Sequence, residues 1–277
     1  AETNEQQYSE IELMQPRRYF GAVATPIFGE GGEGVLLTLH DLTRIRQVDT
    51  TRRQFVSNVS HELRSPIASI RAMTETLEGG ALDEPVVARE FVGRIHAEIQ
   101  RMSNIVDELL QLSRLESGEV SLESEPFDLN ELIKEIELEF RTPAQSKNIG
   151  ITSMLFGALP EVYGEREKIR QVLINLVDNA LKFTENHGSL QLSSTYADGK
   201  VRVEVSDTGI GIAEEDQDHI FERFYRVDSS RKFPGTGLGL SIAKHIVQAH
   251  GGDIGVSSTH GEGCRFHFSI PIHDKFK

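Results

Sequence analysis

A single cysteine, no tryptophan and no long apolar run set the first limits on this 277-residue chain. With Cys264 alone, no internal disulfide and no thiolate metal cluster can form, and a reducing, cytoplasmic setting is expected. The longest apolar stretches, around Leu36 and over Val172–Val177, fall well short of the ~20 residues that span a bilayer. The first residues, Ala1 to Glu5, carry neither the basic nor the apolar region of a signal peptide. They also lack Met, so a processed chain or a piece of a longer one is expected. Positive charge is scarce as well: 29 Lys and Arg stand against 43 Asp and Glu, a net charge of −14, with no basic block. Nucleic-acid binding, which needs a concentrated basic surface to release counterions, is excluded as a function class. An anionic substrate must find its positive partners locally.

What is present falls into three regions. Residues 1–43 hold two β-like runs, Arg18–Ile27 and Gly34–His40, split by a glycine-rich turn. So short a piece rarely buries a core of its own. Residues 44–121 form the second region, predicted helical over 44–117, with Ile45, Val48, Phe55, Val59 and Leu63 on one stripe and Phe91, Ile95, Met102, Val106, Leu109 and Leu112 on another. Between them, Gly79-Gly80 and Pro85 supply a stop and a start. An antiparallel hairpin results, and its uncovered apolar seam predicts a homodimeric four-helix bundle. Packing of the hairpin on its own C-terminal domain is the plainer alternative. Residues 122–277 mix strands and helices without strict βαβ alternation, which predicts an α/β sandwich of the α+β class. Val201, Val203 and Val205 alternate with polar residues, as do Cys264, Phe266, Phe268 and Ile270, so Cys264 reads as core packing. Helices are predicted from about Asn130, from about Glu165 and from about Leu238 to Gly251-Gly252.

The helix near Glu165–Thr184 carries a second stripe beside its core face of Ile169, Leu173, Leu176 and Ala180. Asn175, Asn179 and Lys182 fall at i, i+4 and i+7. An ordinary solvated face is richer in Glu, Lys and Gln, because Asn is a mediocre helix former. Amide oxygens suit a hard cation such as Mg2+, and an ammonium suits phosphate. Asp207-Thr208-Gly209-Ile210-Gly211 follows the valine strand, placing a carboxylate where it can accept from an adenine amino group, beside glycines that admit a close backbone. Gly235-Thr236-Gly237-Leu238-Gly239 opens the last long helix, whose free N–H groups can cradle phosphate. It is neither a dinucleotide fingerprint nor a P-loop, and each glycine segment alone reads equally as a turn.

In this order the three segments resemble the N, G1 and G2 boxes of the ATPase family shared by histidine kinases, type II topoisomerases, heat-shock-90 chaperones and mismatch-repair ATPases. Phe221-Glu222-Arg223-Phe224-Tyr225-Arg226 resembles the F box of the kinase branch. The resemblance implies ATP as substrate, with Asn175 and Asn179 at Mg2+ and phosphates, Lys182 and Arg226 at phosphates, Phe183 beside the nucleotide and Asp207 at the adenine. It also implies a polar lid over residues 227–235.

Of ten histidines, His245, His250, His267 and His273 read as surface or packing residues. His61 differs by its neighbours, Ser60-His61-Glu62-Leu63-Arg64-Ser65-Pro66, and Ser65 stands where a zinc-protease helix would need His. This segment resembles the H box of sensor histidine kinases. An imidazole of ordinary pKa, near ~6.5, is largely in its nucleophilic neutral form at pH 7. By resemblance its Nε2 attacks the γ-phosphorus, with Glu62 positioned to orient the ring and accept the other nitrogen's proton. Pro66 cannot bond back to the Glu62 carbonyl, so a bend just after His61 is expected. Ser65, one turn beyond His61, occupies the place where relatives use Thr or Asn to position a hydrolytic water, which implies phosphatase activity toward the partner.

Residues 18–43 resemble the last strands of a PAS domain, ending in Asp41-Leu42-Thr43, and the whole arrangement is similar to phosphate-sensing sensor kinases. The resemblance implies a response-regulator receiver domain as partner and a membrane-anchored full-length sensor. Ala72, Met73 and Glu75 are candidate contacts, and they fit ordinary bundle surface or core equally, Met73 above all as packing. Two other readings stand beside it: an ATP-binding scaffold without phosphotransfer, and a stand-alone ATPase of the same nucleotide-binding family.

Overall fold

The computed structural model describes residues 5–14, 16–29, 32–117, 123–157, 159–227, 233 and 235–272. They form two compact units, Ala1–Arg64 and Ser65–Lys277. Among the described residues no helix is long and apolar enough to cross a membrane.

In the first unit three antiparallel strands pair in the order β1 (Gln7–Met14), β2 (Arg17–Gly29) and β3 (Gly32–Asp41). The sequence reading had only β2 and β3, because β1 alternates Tyr8, Glu10 and Glu12 with Ser9, Ile11 and Leu13 over an edge strand exposed throughout. The sheet hands over directly to helix α1 (Thr43–Glu78). The Asp41 carboxylate accepts the Thr43 N–H at 2.9 Å, and Tyr19 bonds through its N–H to the Thr43 hydroxyl at 3.1 Å. Arg46 pairs with Glu10, tying the first turn of α1 to β1. Helix α1 carries Pro66 without ending there.

The second unit begins within α1 and continues through a 3-10 turn, Ala81–Asp83, to α2 (Pro85–Ser117). Gly80 takes φ 125°, a conformation that suits glycine, and Pro85 sits at the first helical position, where its missing N–H costs nothing. Met73 and Leu77 of α1 are buried, as are Ile105 and Leu112 of α2, while Ile67, Val92, Ile99 and Val106 stay exposed along the hairpin.

The rest is a two-layer sandwich. Its sheet runs β5 (Gly150–Leu155), β7 (Ser189–Ala197), β8 (Lys200–Asp207), β10 (Cys264–Pro271) and β9 (Ile254–Ser258), with β5 and β7 parallel and the other pairs antiparallel. Two short strands, β4 (Glu125–Phe127) and β6 (Val162–Gly164), pair separately. Helices α3 (Leu129–Ser146), α4 (Arg166–Phe183) and α6 (Gly239–Ala249) pack on the large sheet and on one another, and α5 (Glu214–Gln217) is a single turn beside β9. Register pairs Phe266 with Val205, Phe268 with Val203 and Ile270 with Val201, so the alternating apolar residues of β8 and β10 form one buried layer.

Helix α4 faces this layer with Ile169, Val172, Leu173, Leu176, Val177 and Ala180, all essentially inaccessible. Each large aliphatic side chain so buried contributes about 1.5–3 kcal/mol. The start of α4 has no side-chain cap of its own. His250, at the end of α6, supplies one: its Nε2 accepts the Glu165 N–H at 3.0 Å while its Nδ1 donates to the Ile246 carbonyl at 2.7 Å. That pair of bonds requires the Nδ1–H tautomer and makes His250 a packing residue, as its sequence context suggests.

Candidate nucleotide site

The polar stripe of α4 meets both glycine segments because short bonds pin each segment to the helix. Ile210 donates its N–H to the Phe183 carbonyl at 3.2 Å, joining the Asp207–Gly211 loop to the end of α4. Asn175 Nδ2 donates to the Gly239 carbonyl at 2.9 Å, joining the start of α6 to its middle. Spent as a donor on one side, the Asn175 amide keeps its oxygen as an acceptor. A cavity of about 700 Å3 lies between these segments, lined by Asn175, Asn179, Lys182, Phe183, Asp207 and Gly211, among others.

Asp207 ends β8 and is only 8% exposed. Its Oδ1 accepts the N–H of Gly209 at 2.8 Å and that of Cys264 at 3.2 Å. These bonds fix the carboxylate's plane at the cavity wall. Burial pushes this carboxyl above the usual carboxylate range, with the two backbone bonds opposing. Gly211 has φ +68°, and a Cβ there would come within 2.2 Å of the Thr259 carbonyl oxygen, so no other residue fits without moving backbone. Cys264 is buried as expected; it also lines the cavity, and burial pushes its thiol up to about 11, which leaves it protonated and unreactive.

In the cavity wall Lys182 stands against Gly235, where a Cβ would lie 2.5 Å from its Nζ, and 5.0 Å from the Phe183 ring centroid. Its ammonium is held below the ordinary lysine range by burial first and by the charge of Arg226 second. Arg226 Nη1 donates to the Gly235 carbonyl at 2.9 Å, and its Nη2 to that of Phe233 at 2.6 Å, so it braces the glycine loop as well as lining the cavity. Phe183 meets Phe233 edge to face, with centroids 5.3 Å apart. The Thr236 hydroxyl accepts the Leu238 N–H at 3.1 Å, shaping the loop ahead of α6. Of the lid expected over residues 227–235, residues 228–232 and 234 lie outside the described residues, as does His273.

The donor set suits a magnesium nucleotide. Among the described residues no cluster of three or more His, Cys, Asp or Glu could hold a metal by itself. Two amide oxygens beside two cations instead suit a hard cation that arrives with phosphate and keeps most of its waters. The cavity thus brings the Asp207 carboxylate and apolar residues such as Ile210, Ile220 and Phe266 together with the cations Lys182 and Arg226.

His61, Glu62 and Ser65 share α1. His61 and Ser65 are exposed, Glu62 is half-buried, and Pro66 is buried. His61 and Glu62 belong to the first unit, whereas the cavity belongs to the second. Of the residues offered as partner contacts, Ala72 and Glu75 are exposed, but Met73 is buried and is a packing residue. The sequence reading missed the hairpin's share of the cavity: Arg101, Asn104 and Glu108 of α2 line it too. Their spacing of three and four marks one helix face, but nothing in the sequence says what that face meets.

Residues 51–118 match the His Kinase A (phospho-acceptor) domain, and residues 164–274 match the histidine kinase-, DNA gyrase B- and HSP90-like ATPase family. The chain is 37% identical over 280 residues to drug sensory protein A of Synechocystis, covering 95% of this chain and 42% of that protein. It is 35% identical over 257 residues to the sensor histidine kinase WalK of Bacillus subtilis, covering 88% and 40%. The solved structure of histidine kinase ThkA in complex with response regulator protein TrrA superposes with a TM-score of 0.67 at 29% identity, covering 98% of this chain and 79% of that one. The chain therefore spans about two fifths of the length of the first two relatives.

Proposed function

The chain belongs to the sensor histidine kinases of two-component systems, and on that premise we propose that it moves the γ-phosphoryl group of ATP onto His61 and from there to an aspartate of a response regulator. The observation that carries this is the pairing, in one chain, of a prepared nucleotide cavity with an exposed histidine followed by a carboxylate.

In this reading Asp207 accepts the adenine amino group, and its two backbone bonds hold it ready to do so. Asn175 and Asn179 offer amide oxygens to Mg2+, which when bound neutralises phosphate charge. Lys182 and Arg226 face the phosphates, and the Gly235–Gly239 segment brings backbone N–H groups close to them. The lone pair of His61 Nε2 attacks the γ-phosphorus, the bond from that phosphorus to the β–γ bridging oxygen breaks, and ADP leaves with that oxygen. The proton on Nδ1 passes to Glu62, which returns the phosphorylated ring to neutrality. The N–P bond at His61 then breaks as the phosphoryl group moves to the regulator's aspartate, and the Ser65 hydroxyl positions a water that hydrolyses that aspartyl phosphate to free phosphate.

Two copies of the hairpin complete a four-helix bundle, which accounts for Ile67, Val92, Ile99 and Val106 being exposed in one chain. The β1–β3 meander is the closing part of a PAS-like input domain, and the described region works on the cytoplasmic side. Labelled ATP tests the central claim. Acid-labile, alkali-stable label that disappears in His61→Gln is expected; release of free phosphate with no protein label would mark an ATPase instead.

A further inference from the structure

Helix α2 presents Glu98, Arg101, Asn104 and Glu108 on one face, at steps of three, three and four, and all four line the nucleotide cavity with Asn179, Lys182 and Arg226. The hairpin is held in that position at two points. Glu108 Oε2 accepts the Thr236 hydroxyl at 2.6 Å, within the glycine loop itself. One turn further on, Gln111 and Gln171 of α4 exchange amide hydrogen bonds, Gln171 Nε2 donating to Gln111 Oε1 at 2.7 Å. Between these anchors and the sandwich, α2 packs on α6, with Ile105 and Leu112 fully buried.

Charge on this wall is distributed to a purpose. Lys182 feels the positive charge of Arg226 first and that of Arg101 as well, with the Asp178 carboxylate opposing between them, so three cations and one carboxylate meet in the cavity wall. Like charges brought together in a half-buried space raise the free energy of the site until an anion enters. Two carboxylates on the same wall oppose such an anion. Glu108 is engaged by Thr236, whereas Glu98 carries a buried oxygen, Oε2, with no hydrogen-bond partner. A guanidinium three residues from Glu98 is the group that keeps this wall attractive to phosphate.

We propose that Arg101, on the hairpin helix, is a phosphate-binding residue of the nucleotide site, so that a triphosphate is gripped by the hairpin and the sandwich together. This rests on the reading of the cavity as an ATP site. A planar guanidinium suits phosphate oxygens through two parallel N–H bonds, and a lysine keeps the charge without that fork. ATP thus holds the ATPase domain against α2, and loss of the terminal phosphate loosens the grip.

The test is a binding titration of the full chain with Mg-ATP, Mg-ADP and adenosine at fixed ionic strength, comparing Arg101→Gln with the parent. ATP affinity is expected to fall about tenfold, ADP affinity by less, and adenosine affinity not at all. A purely structural Arg101 would weaken all three alike, and that result overturns the proposal, as does an ATP affinity within twofold of the parent. Arg101→Lys, with an intermediate loss for ATP alone, supplies the same comparison should Arg101→Gln melt early. A parent chain that binds no ATP overturns the ATP-site reading itself, before Arg101 is in question.

Discussion

The sandwich and the hairpin bury their apolar residues very differently. Helix α4 has seven buried hydrophobic residues in eighteen, whereas α2, nearly twice as long, has Ile105 and Leu112. The sandwich closes its core within one chain; the hairpin leaves Val92, Ile99 and Val106 to solvent. Function divides along the same line. The nucleotide cavity is built of braced residues, Asp207 by two backbone bonds and Arg226 by two carbonyls, while His61 is exposed on a helix. The nucleotide cavity takes most of its wall from the closed sandwich and borrows one face of α2, whereas the His61 ring stands in the open.

The largest effect that can break this contrast is on stability. Leu176 is fully buried between α4 and the sheet, so Leu176→Ala should cost about 2–5 kcal/mol, whatever the protein concentration. Val106→Ala, at a position 44% exposed, should leave the chain's own fold nearly unchanged and lower the melting temperature only through the dimer, so its effect should vary with concentration. Thermal melts over a hundredfold concentration range separate the two. Matching, concentration-independent losses would mean that the hairpin is as self-sufficient as the sandwich.

A smaller effect sharpens the claim that the cavity is prepared in advance. Asp207→Asn keeps an oxygen for the Gly209 and Cys264 N–H groups but places an amide N–H2 where the adenine amino group must donate. ATP affinity should fall about 30- to 100-fold, roughly 2–3 kcal/mol, with the melting temperature of the nucleotide-free chain not reduced. Calorimetric titration and a melt on the same sample check both halves. A lower melting temperature with unchanged affinity would make Asp207 a purely structural residue.

Most of the sandwich was legible because its signals are local. The alternation of Val201, Val203 and Val205 is set by strand geometry, and the stripe of Asn175, Asn179 and Lys182 by helix geometry, with no knowledge of what either meets. Strand β1 escaped because an edge strand exposed on both faces has no buried residues to impose a period. Met73 stays open between partner contact and packing in the sequence, because a lone methionine on a helix gives no sign of which side is covered; its burial makes it packing. The hairpin wall of the cavity was the hardest part to read. Arg101, Glu108 and Gln111 are ordinary polar residues of a helix, and their partners Thr236 and Gln171 lie 128 and 60 residues away. Only docking of α2 on α6 gives that face a meaning.

The smallest effect tests that docking directly. Burial raises the Glu108 carboxyl above its usual range, and the Thr236 hydroxyl opposes the shift only in part. A carboxyl with a higher pKa folded than unfolded favours the folded chain while it is protonated. That contribution is complete below the unfolded pKa and is lost as pH rises through the folded one. Glu108→Gln keeps a neutral acceptor for Thr236 at every pH, so it should melt about 2 °C above the parent at pH 7, with the gap closing as pH falls towards 4. Melting curves at half-unit steps between pH 4 and pH 8 show whether the two lines converge. Parallel lines would mean that Glu108 is fully hydrated in solution. In that case α2 would not rest on the glycine loop, and the hairpin would contribute nothing to the wall of the nucleotide cavity.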